Sequence, residues 1–326
     1  MKLVSVHTSD AQPDQIRIQW NMGNSCNYAC EYCPPILHNG SRQWIDTDKS
    51  IEAVKKISAA YEKTNQNIHW DLIGGEVTVM PGFNRILKTI YDSNSTCSVF
   101  TNGSRTVEWW KKNKKFITTL TITFHPQTAT QEHFINVLNE VKDSCSISVQ
   151  LAGAKGHLAD LLKFRHKLVT DVIPESTENV HIKRLYNKKL GGSGSQDSFY
   201  AYSDHDEEIL NMSFVKVIPQ PDNQELIVHT VKERMTEFTY SNQQVDQVKT
   251  KDIKHLKLNS FKGMYCKLGS TMLSIDFAGN VWGSWCGAKK LGNISDVNNI
   301  AFGIKPQICD VKYCNNENDL LITKFR

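Results

Sequence analysis

The sequence predicts an α/β fold built on a parallel sheet, open or rolled into a barrel, followed by a smaller unit of antiparallel strands. Three observations carry this. Strand and helix signals alternate through the first half of the chain. The alternation breaks at a Gly/Ser-rich stretch, LGGSGSQ, at residues 190–196. Beyond it, short strand signals replace the helices. Strands alternating with helices of this length imply βαβ units.

Each element has its own reason. Ile16, Ile18 and Trp20 alternate with Arg17 and Gln19, the period of a strand with two unlike faces. Residues 46–64 read as an amphipathic helix with Ile51, Val54, Ile57 and Tyr61 on one face. A short strand at 70–73 ends in Gly74-Gly75, and residues 81–92 are helical, with Pro81 suited to a first turn. Further strands are expected at 98–101, 120–124, 146–151 and 180–185, and helices at 107–115, 131–142 and 157–169. The basic run KKNKK at 111–115 reads as a solvated helix tip that complements the helix dipole. After the break, 215–218, 225–231 and 237–240 look like short antiparallel strands. Residues 272–276 and 280–282 read as a hairpin around Ala278-Gly279. The expected division is 1–195 for the α/β unit and 196–326 for a linker and a second unit.

Composition narrows the function. A chain of 326 residues suggests roughly two domains. Hydrophobic residues make up 40% and charged residues 22%, values of an ordinary soluble protein with a real core. No apolar run reaches the ~18 residues of a membrane helix. The N-terminal MKLVSVHTSDAQPDQ turns polar too early for a secretory signal. A cytoplasmic protein is expected. Lys+Arg 38 against Asp+Glu 34 gives +4, which tolerates an anionic substrate but does not by itself argue for nucleic-acid binding. The nine cysteines are odd in number and come without an export signal, so clustered ones read as metal ligands or catalytic groups rather than disulfides.

Cys26, Cys30 and Cys33 form a CxxxCxxC run on the loop after the strand around Ile16–Trp20. Three thiolates on one loop can hold three irons of a 4Fe–4S cube, whereas a structural zinc usually takes four protein ligands. This motif in an α/β chain resembles the radical S-adenosylmethionine (radical SAM) superfamily. The resemblance implies a partial (β/α)6 TIM-like barrel. It also implies a fourth iron that binds S-adenosylmethionine, and reductive cleavage to a 5′-deoxyadenosyl radical by an electron from an external flavodoxin- or ferredoxin-like donor. Tyr32 matches the family's aromatic position near the adenine. Gly74-Gly75-Glu76 matches the motif that contacts the methionine amino group. Physically, the glycines let backbone approach a ligand and the carboxylate can accept from an ammonium. Thr101-Asn102-Gly103 fits the next strand-end position, which makes Asn102 a cofactor-binding candidate.

Cys266, Cys286, Cys309 and Cys314 form a second, complete set of four. A cysteine, a hairpin, a second cysteine and a later pair resemble the twitch domain, the short form of the SPASM auxiliary-cluster domain. Gly292-Asn293-Ile294 is also typical of it. The resemblance implies an auxiliary 4Fe–4S cluster. A structural zinc on the same four thiolates is the alternative. Four cysteines would close the cluster, leaving no iron for substrate and favouring a role as electron acceptor. That points to net oxidation, such as dehydrogenation of a small polar, sugar- or nucleotide-linked molecule.

Other residues are weighed beside these. Cys97 and Cys145 lie at the N-terminal ends of their strands, away from the C-terminal ends where α/β active sites collect, and read as inert thiols. That weakens an epimerase mechanism with a cysteine hydrogen donor. His125 ends the fourth strand, Gln150 points from the fifth, and Arg184 and Tyr186 lie on the sixth. His125 and Arg184 are the candidate catalytic residues, with a salt-bridge role for Arg184 as the alternative. Prolines in the segment 34–44 preclude an immediate long helix, and His38 and Arg42 there are candidate substrate contacts. Trp282 and Trp285 flank Cys286, with packing around the auxiliary cluster as their expected role. Rival readings are a peptide-modifying enzyme, a nucleoside- or tRNA-modifying enzyme, and a non-catalytic iron–sulfur or zinc electron-transfer module. Against the first, only a short segment precedes the strand at Ile16, so a leader-binding domain is not expected at that end.

Overall fold

The computed structural model describes residues 2–8, 14–63, 65–174, 179–185, 202–212, 215–219, 225–229, 234–302 and 305–326. The chain begins with β1 (Leu3–Thr8) and then runs β2 (Gln15–Asn21), α1 (Thr47–Glu62), β3 (Asn67–Ile73), α2 (Phe83–Asp92), β4 (Thr96–Thr101) and α3 (Val107–Asn113). It continues with β5 (Thr119–Phe124), α4 (Gln131–Val141), β6 (Ser146–Ala152), α5 (Leu158–Lys167), β7 (Val180–Lys183) and α6 (Asp204–Met212). The remainder is β8 (Val215–Pro219), β9 (Glu225–His229), β10 (Met235–Tyr240), β11 (Val245–Lys249), β12 (Tyr265–Cys266), β13 (Met272–Ile275), β14 (Asn280–Trp282), β15 (Lys290–Asn293), β16 (Gln307–Ile308), α7 (Glu317–Leu320) and β17 (Lys324–Phe325).

Strands β2 to β7 are parallel and sequential, with helices between β2 and β7 at every crossover, which is the partial (β/α)6 barrel expected. The period-2 pattern decides which side packs. Ile16, Ile18 and Trp20 are fully buried, as are Trp70 and Leu72 on β3, and they share one core with Val54 and Ile57 of α1. Successive side chains on a strand point to opposite faces. The other face therefore carries Arg17, Gln19, His69, Asp71 and Ser98, and it is polar. There His69 reaches Thr96 Oγ1 at 2.8 Å and Ser98 Oγ at 2.7 Å, and Arg17 holds the Asp71 carboxylate with two nitrogens.

The nine-stranded sheet continues past β2 on its other edge. β13 pairs parallel with β2, and β14 and β15 follow antiparallel. A second sheet of order β11-β10-β1-β17-β12-β16 holds the C-terminal segments together with β1, the strand nearest the N-terminus. The expected boundary at 195 and 196, the stretch 190–196 and Tyr186 all lie outside the described residues. Sequence reading found neither β1 nor the two-residue strands.

Local chemistry sets the ends of elements. Asp46 caps α1, its Oδ1 accepting from the N–H groups of Asp48 and Lys49 at 3.0 Å. Pro81 does not enter α2. Gly82 caps that helix at φ 70, where an added Cβ would meet Thr47 Cγ2 at 2.6 Å. β7 ends at Lys183, so Arg184 lies just past the strand rather than on it.

Burial pushes the Asp71 pKa up, but hydrogen bonds from His69 and Arg17, and their charges, outweigh it and hold the carboxyl below its ordinary range. A depressed acid contributes stability above its unfolded pKa of ~3.9 and loses it as pH falls through the lower folded value. Asp71→Asn is expected to cost about 1–2 kcal/mol at neutral pH, a figure reduced because Arg17 is 46% exposed. The deficit should shrink on acidification. Urea titrations of both proteins from neutral to acid pH measure it, and a deficit that ignores pH would show that the charge contributes nothing.

Candidate active site

The loop between β2 and α1 carries Cys26, Cys30 and Cys33, and backbone contacts fix where it starts. The β2–β3 pairing continues beyond both strands: Gly75 N donates to Gly23 O at 3.0 Å and Glu76 N to Ser25 O at 2.9 Å. The space is tight. A Cβ on Gly74 would lie 2.8 Å from Gly23 O, and one on Gly75 would lie 2.2 Å from Ser25 O. The two glycines are thus needed for backbone to meet backbone at the entry to the cysteine loop, a reason that sequence reasoning had assigned to ligand approach. Asn24, missed in the sequence, is buried and ties the loop together. Its Nδ2 donates to Ile36 O at 2.7 Å and Asn39 Oδ1 at 2.9 Å, while its Oδ1 accepts from Arg42 N at 2.8 Å. The prolines permit one short 3-10 turn, Pro35–Leu37.

Glu76 is 1% exposed. Its Oε1 accepts from Thr78 N, Thr78 Oγ1 at 2.6 Å and Thr101 Oγ1 at 2.7 Å, and its Oε2 from Asn102 N at 2.5 Å. Burial still pushes its pKa up against these bonds. Each carboxylate oxygen carries two lone pairs, and Oε2 accepts from one donor, so it keeps capacity for one more. Asn102 joins this carboxylate to the cysteine loop: its Nδ2 lies 3.0 Å from Asn27 Oδ1 and 3.9 Å from Cys26 Sγ. The Gly-Gly-Glu segment, the β4 end and the cysteine loop thus form one hydrogen-bonded unit.

Tyr32 is buried, its hydroxyl 2.7 Å from His125 Nδ1 and its ring stacked on the imidazole at 6.0 Å and 6°. His125, just past β5, also lies 3.5 Å from Cys30 Sγ, as does Thr128 Oγ1. Burial, and secondarily the charge of Lys183, lowers the His125 pKa to about 4. Lys183 is exposed, and desolvation by its neighbours lowers its pKa. Arg184 holds both oxygens of Glu207 on α6, with its guanidinium 5.9 Å from the Tyr202 ring centre. His38 sits 3.4 Å from Tyr28 O, and Arg42 stacks over Phe277 at 4.2 Å, linking the loop to the β13–β14 turn. Cys97 is fully buried and donates to Phe116 O, and Cys145 leans on Val141 O, both away from the strand ends that carry the loop.

The three thiols interact. Burial, then the charges of Cys30 and Cys26, push Cys33 up to about 11. Burial also raises Cys26, with Glu76 and Cys30 adding to it. Thiols that oppose one another's ionisation need a cation to become thiolates together, and coordination to a metal deprotonates a thiol outright. The residues present therefore fit an iron–sulfur cluster.

A second cysteine centre lies in the C-terminal unit. Cys266, Cys309 and Cys314 are buried and Cys286 partly so. Burial pushes Cys266 up to about 11 and Cys314 to about 12, and the charge of Cys286 reaches both, as it reaches Cys309. Cys309 N donates to Met264 O and Cys314 N to Asn259 O, both at 2.8 Å, and Cys286 Sγ is 2.9 Å from Ser284 Oγ. Asp319 Oδ1 accepts from Trp285 N at 2.8 Å and pins the segment entering Cys286. Trp285 packs against the cluster of Cys266, Leu268, Met272 and Ile322, and its Nε1 is buried with no hydrogen-bond partner. Trp282 faces elsewhere, its Nε1 3.1 Å from Asp276 Oδ2. Asn318 Nδ2 donates to Gln19 Oε1 at 3.0 Å, so this unit touches the polar face of β2.

A partial (β/α)6 barrel with a three-cysteine loop at the end of its β2 strand defines a class of metal-cluster enzymes. Residues 20–155 match the family model for the radical SAM superfamily and are a radical SAM domain. A domain of this family implies an enzyme with a 4Fe–4S cluster and S-adenosylmethionine as cofactors. Similar solved structures include BtrN in complex with AdoMet and 2-DOIA, at 14% identity over 87% of this chain and 81% of that one, TM-score 0.38. Native anSMEcpe with bound AdoMet is 15% identical over 86% of this chain and 78% of that one, TM-score 0.46. Streptococcus suis SuiB bound to precursor peptide SuiA is 12% identical over 87% of this chain and 63% of that one, TM-score 0.40. Likeness at this level says nothing of substrate. No curated protein matches the sequence. Among the described residues, no helix is long and apolar enough to cross a membrane.

Gly75→Ala should force the Ser25 carbonyl aside at a cost of about 1–3 kcal/mol and lower the iron held by the first cysteine loop. Circular dichroism and iron assay on the anaerobically reconstituted protein measure both. Full iron content would show that the close approach does not set the loop.

Proposed function

We propose that this enzyme oxidises a small polar substrate by hydrogen abstraction, using Cys26, Cys30 and Cys33 for the radical-generating cluster. Cys266, Cys286, Cys309 and Cys314 would hold a second 4Fe–4S cluster. One observation carries the reading: all four C-terminal cysteines gather in a unit whose β13 is added to the barrel sheet beside β2. Four thiolates would close such a cluster, leaving electron transfer as its use.

When bound, the first cluster and S-adenosylmethionine supply the 5′-deoxyadenosyl radical, and the second cluster supplies a one-electron acceptor. The substrate's net loss is two hydrogens. One leaves as an atom to form 5′-deoxyadenosine, the other as a proton and an electron, so an alcohol carbon becomes a carbonyl. The protein's task is orientation and exclusion of water. In this reading Glu76 and Asn102 position the methionine end, with Oε2 open to an ammonium. Gly74 and Gly75 set the loop. His125 becomes a positioning group that braces Tyr32 and Cys30, and Arg184 one that orders α6, in place of the catalytic roles expected of them. Lys183, exposed just before the Arg184 position at the end of β7, suits a substrate with anionic character. The reductant would be a flavodoxin- or ferredoxin-like protein. Nine free cysteines suit a reducing, cytoplasmic setting.

The test is anaerobic reconstitution with iron, sulfide and electron paramagnetic resonance. About eight irons per chain are expected, with one signal altered by S-adenosylmethionine. Cys30→Ala should abolish 5′-deoxyadenosine release, whereas Cys314→Ala should keep the S-adenosylmethionine-responsive signal at about four irons. About four irons plus one zinc in the wild type would remove the electron acceptor and with it the oxidation.

A further inference from the structure

Among the described residues of the C-terminal unit, Lys324 is the largest charged side chain withdrawn from water, at 1% exposure. Its ammonium donates to two main-chain carbonyls, Asp319 O and Ile322 O, the latter at 2.6 Å, and lies 5.1 Å from the centre of the Phe261 ring. These partners are neutral. Burying a charge is costly unless an opposite charge answers it. Among the described residues no carboxylate makes an ion pair with Lys324. Asp319 accepts from it only through the backbone carbonyl; its carboxylate, with Oδ1 turned to Trp285 N, feels the Lys324 charge without forming an ion pair with it.

The sheet register says what faces this lysine. In the antiparallel β12–β17 pair, Cys266 is the direct partner of Lys324. Directly opposite residues point to the same face with Cβ atoms about 4.5–5.5 Å apart. The field of Lys324 reaches Cys266, Cys309 and Cys314 alike. We infer that Lys324 is the built-in counter-charge of the four-cysteine centre, and that it holds that centre's reduction potential up so that it accepts an electron. The inference rests on the proposed cluster at those cysteines. A thiolate-ligated cluster is an anion, which answers the buried ammonium. Adding an electron makes the centre more negative, so a fixed positive charge beside it favours the reduced form. Lys324 acts through the centre and is a positioning residue, not a catalytic one.

The test uses the full chain, reconstituted anaerobically, as wild type, Lys324→Met and Lys324→Arg. Iron is counted first, and the second cluster is then titrated with reductant and followed by electron paramagnetic resonance. The expected result is a more negative midpoint in Lys324→Met and a return toward the wild-type value in Lys324→Arg. The S-adenosylmethionine-responsive cluster should be unmoved in both. An unchanged midpoint in Lys324→Met, with both clusters present, overturns the counter-charge while leaving the proposed function intact. A wild type without a second cluster overturns both. Where Lys324→Met does not retain the second cluster, urea unfolding of the apo proteins decides. Apo Lys324→Met at least as stable as the apo wild type supports the inference, because the charge is then needed only by the loaded centre. An apo variant that loses stability makes Lys324 structural only and overturns it.

Discussion

Strand β2 has a parallel partner on each edge, β3 on one side and β13 on the other, and the candidate chemistry depends on that arrangement. A strand hydrogen-bonded on both sides cannot shift register without breaking two ladders, and a one-residue slip would turn Ile16, Ile18 and Trp20 out of the core. The first cysteine loop leaves the end of this strand within a few residues. Its starting point is therefore as fixed as the core. The same strand ties the second cysteine unit to the barrel through β13 and through the contact of Asn318 with Gln19.

Much of this was legible in the sequence because the α/β half follows simple periods. The alternation around Ile16 to Trp20 and the apolar stripe of α1 each give both an element and its buried face. Boundaries failed where a single residue decided them. Gly82 takes a left-handed conformation to cap α2 and so leaves Pro81 outside the helix. The two-residue strands β12, β16 and β17 were invisible, because so short a segment has no period and is strand only by virtue of its distant partners.

The candidate site divides in the same way. The cysteines and the Gly-Gly-Glu segment announce themselves by spacing. Their supporting residues do not. Asn24 reads as an ordinary loop asparagine, and its side-chain contacts exist only once residues 36 to 42 fold back over it. Lys324 in TKFR looks like a surface lysine, because burial of its ammonium comes from a register set by residues 58 positions earlier in the chain. The roles of Gly74 and Gly75 shifted for a related reason: a glycine pair signals close approach but not what approaches.

β1 lies between β10 and β17, so residues near the start of this sequence are held by residues some 230 and 320 positions later. Parallel βαβ units close over short spans and can form as the chain emerges, whereas β1 must wait with its edges unpaired until the last strand is made. The two cysteine centres therefore mature at different moments. The loop carrying Cys26, Cys30 and Cys33 can be organised once β2 and β3 have met. The segment around Cys266 closes last, when β17 slots in between β1 and β12, so a second cluster held there would be the later of the two to be completed.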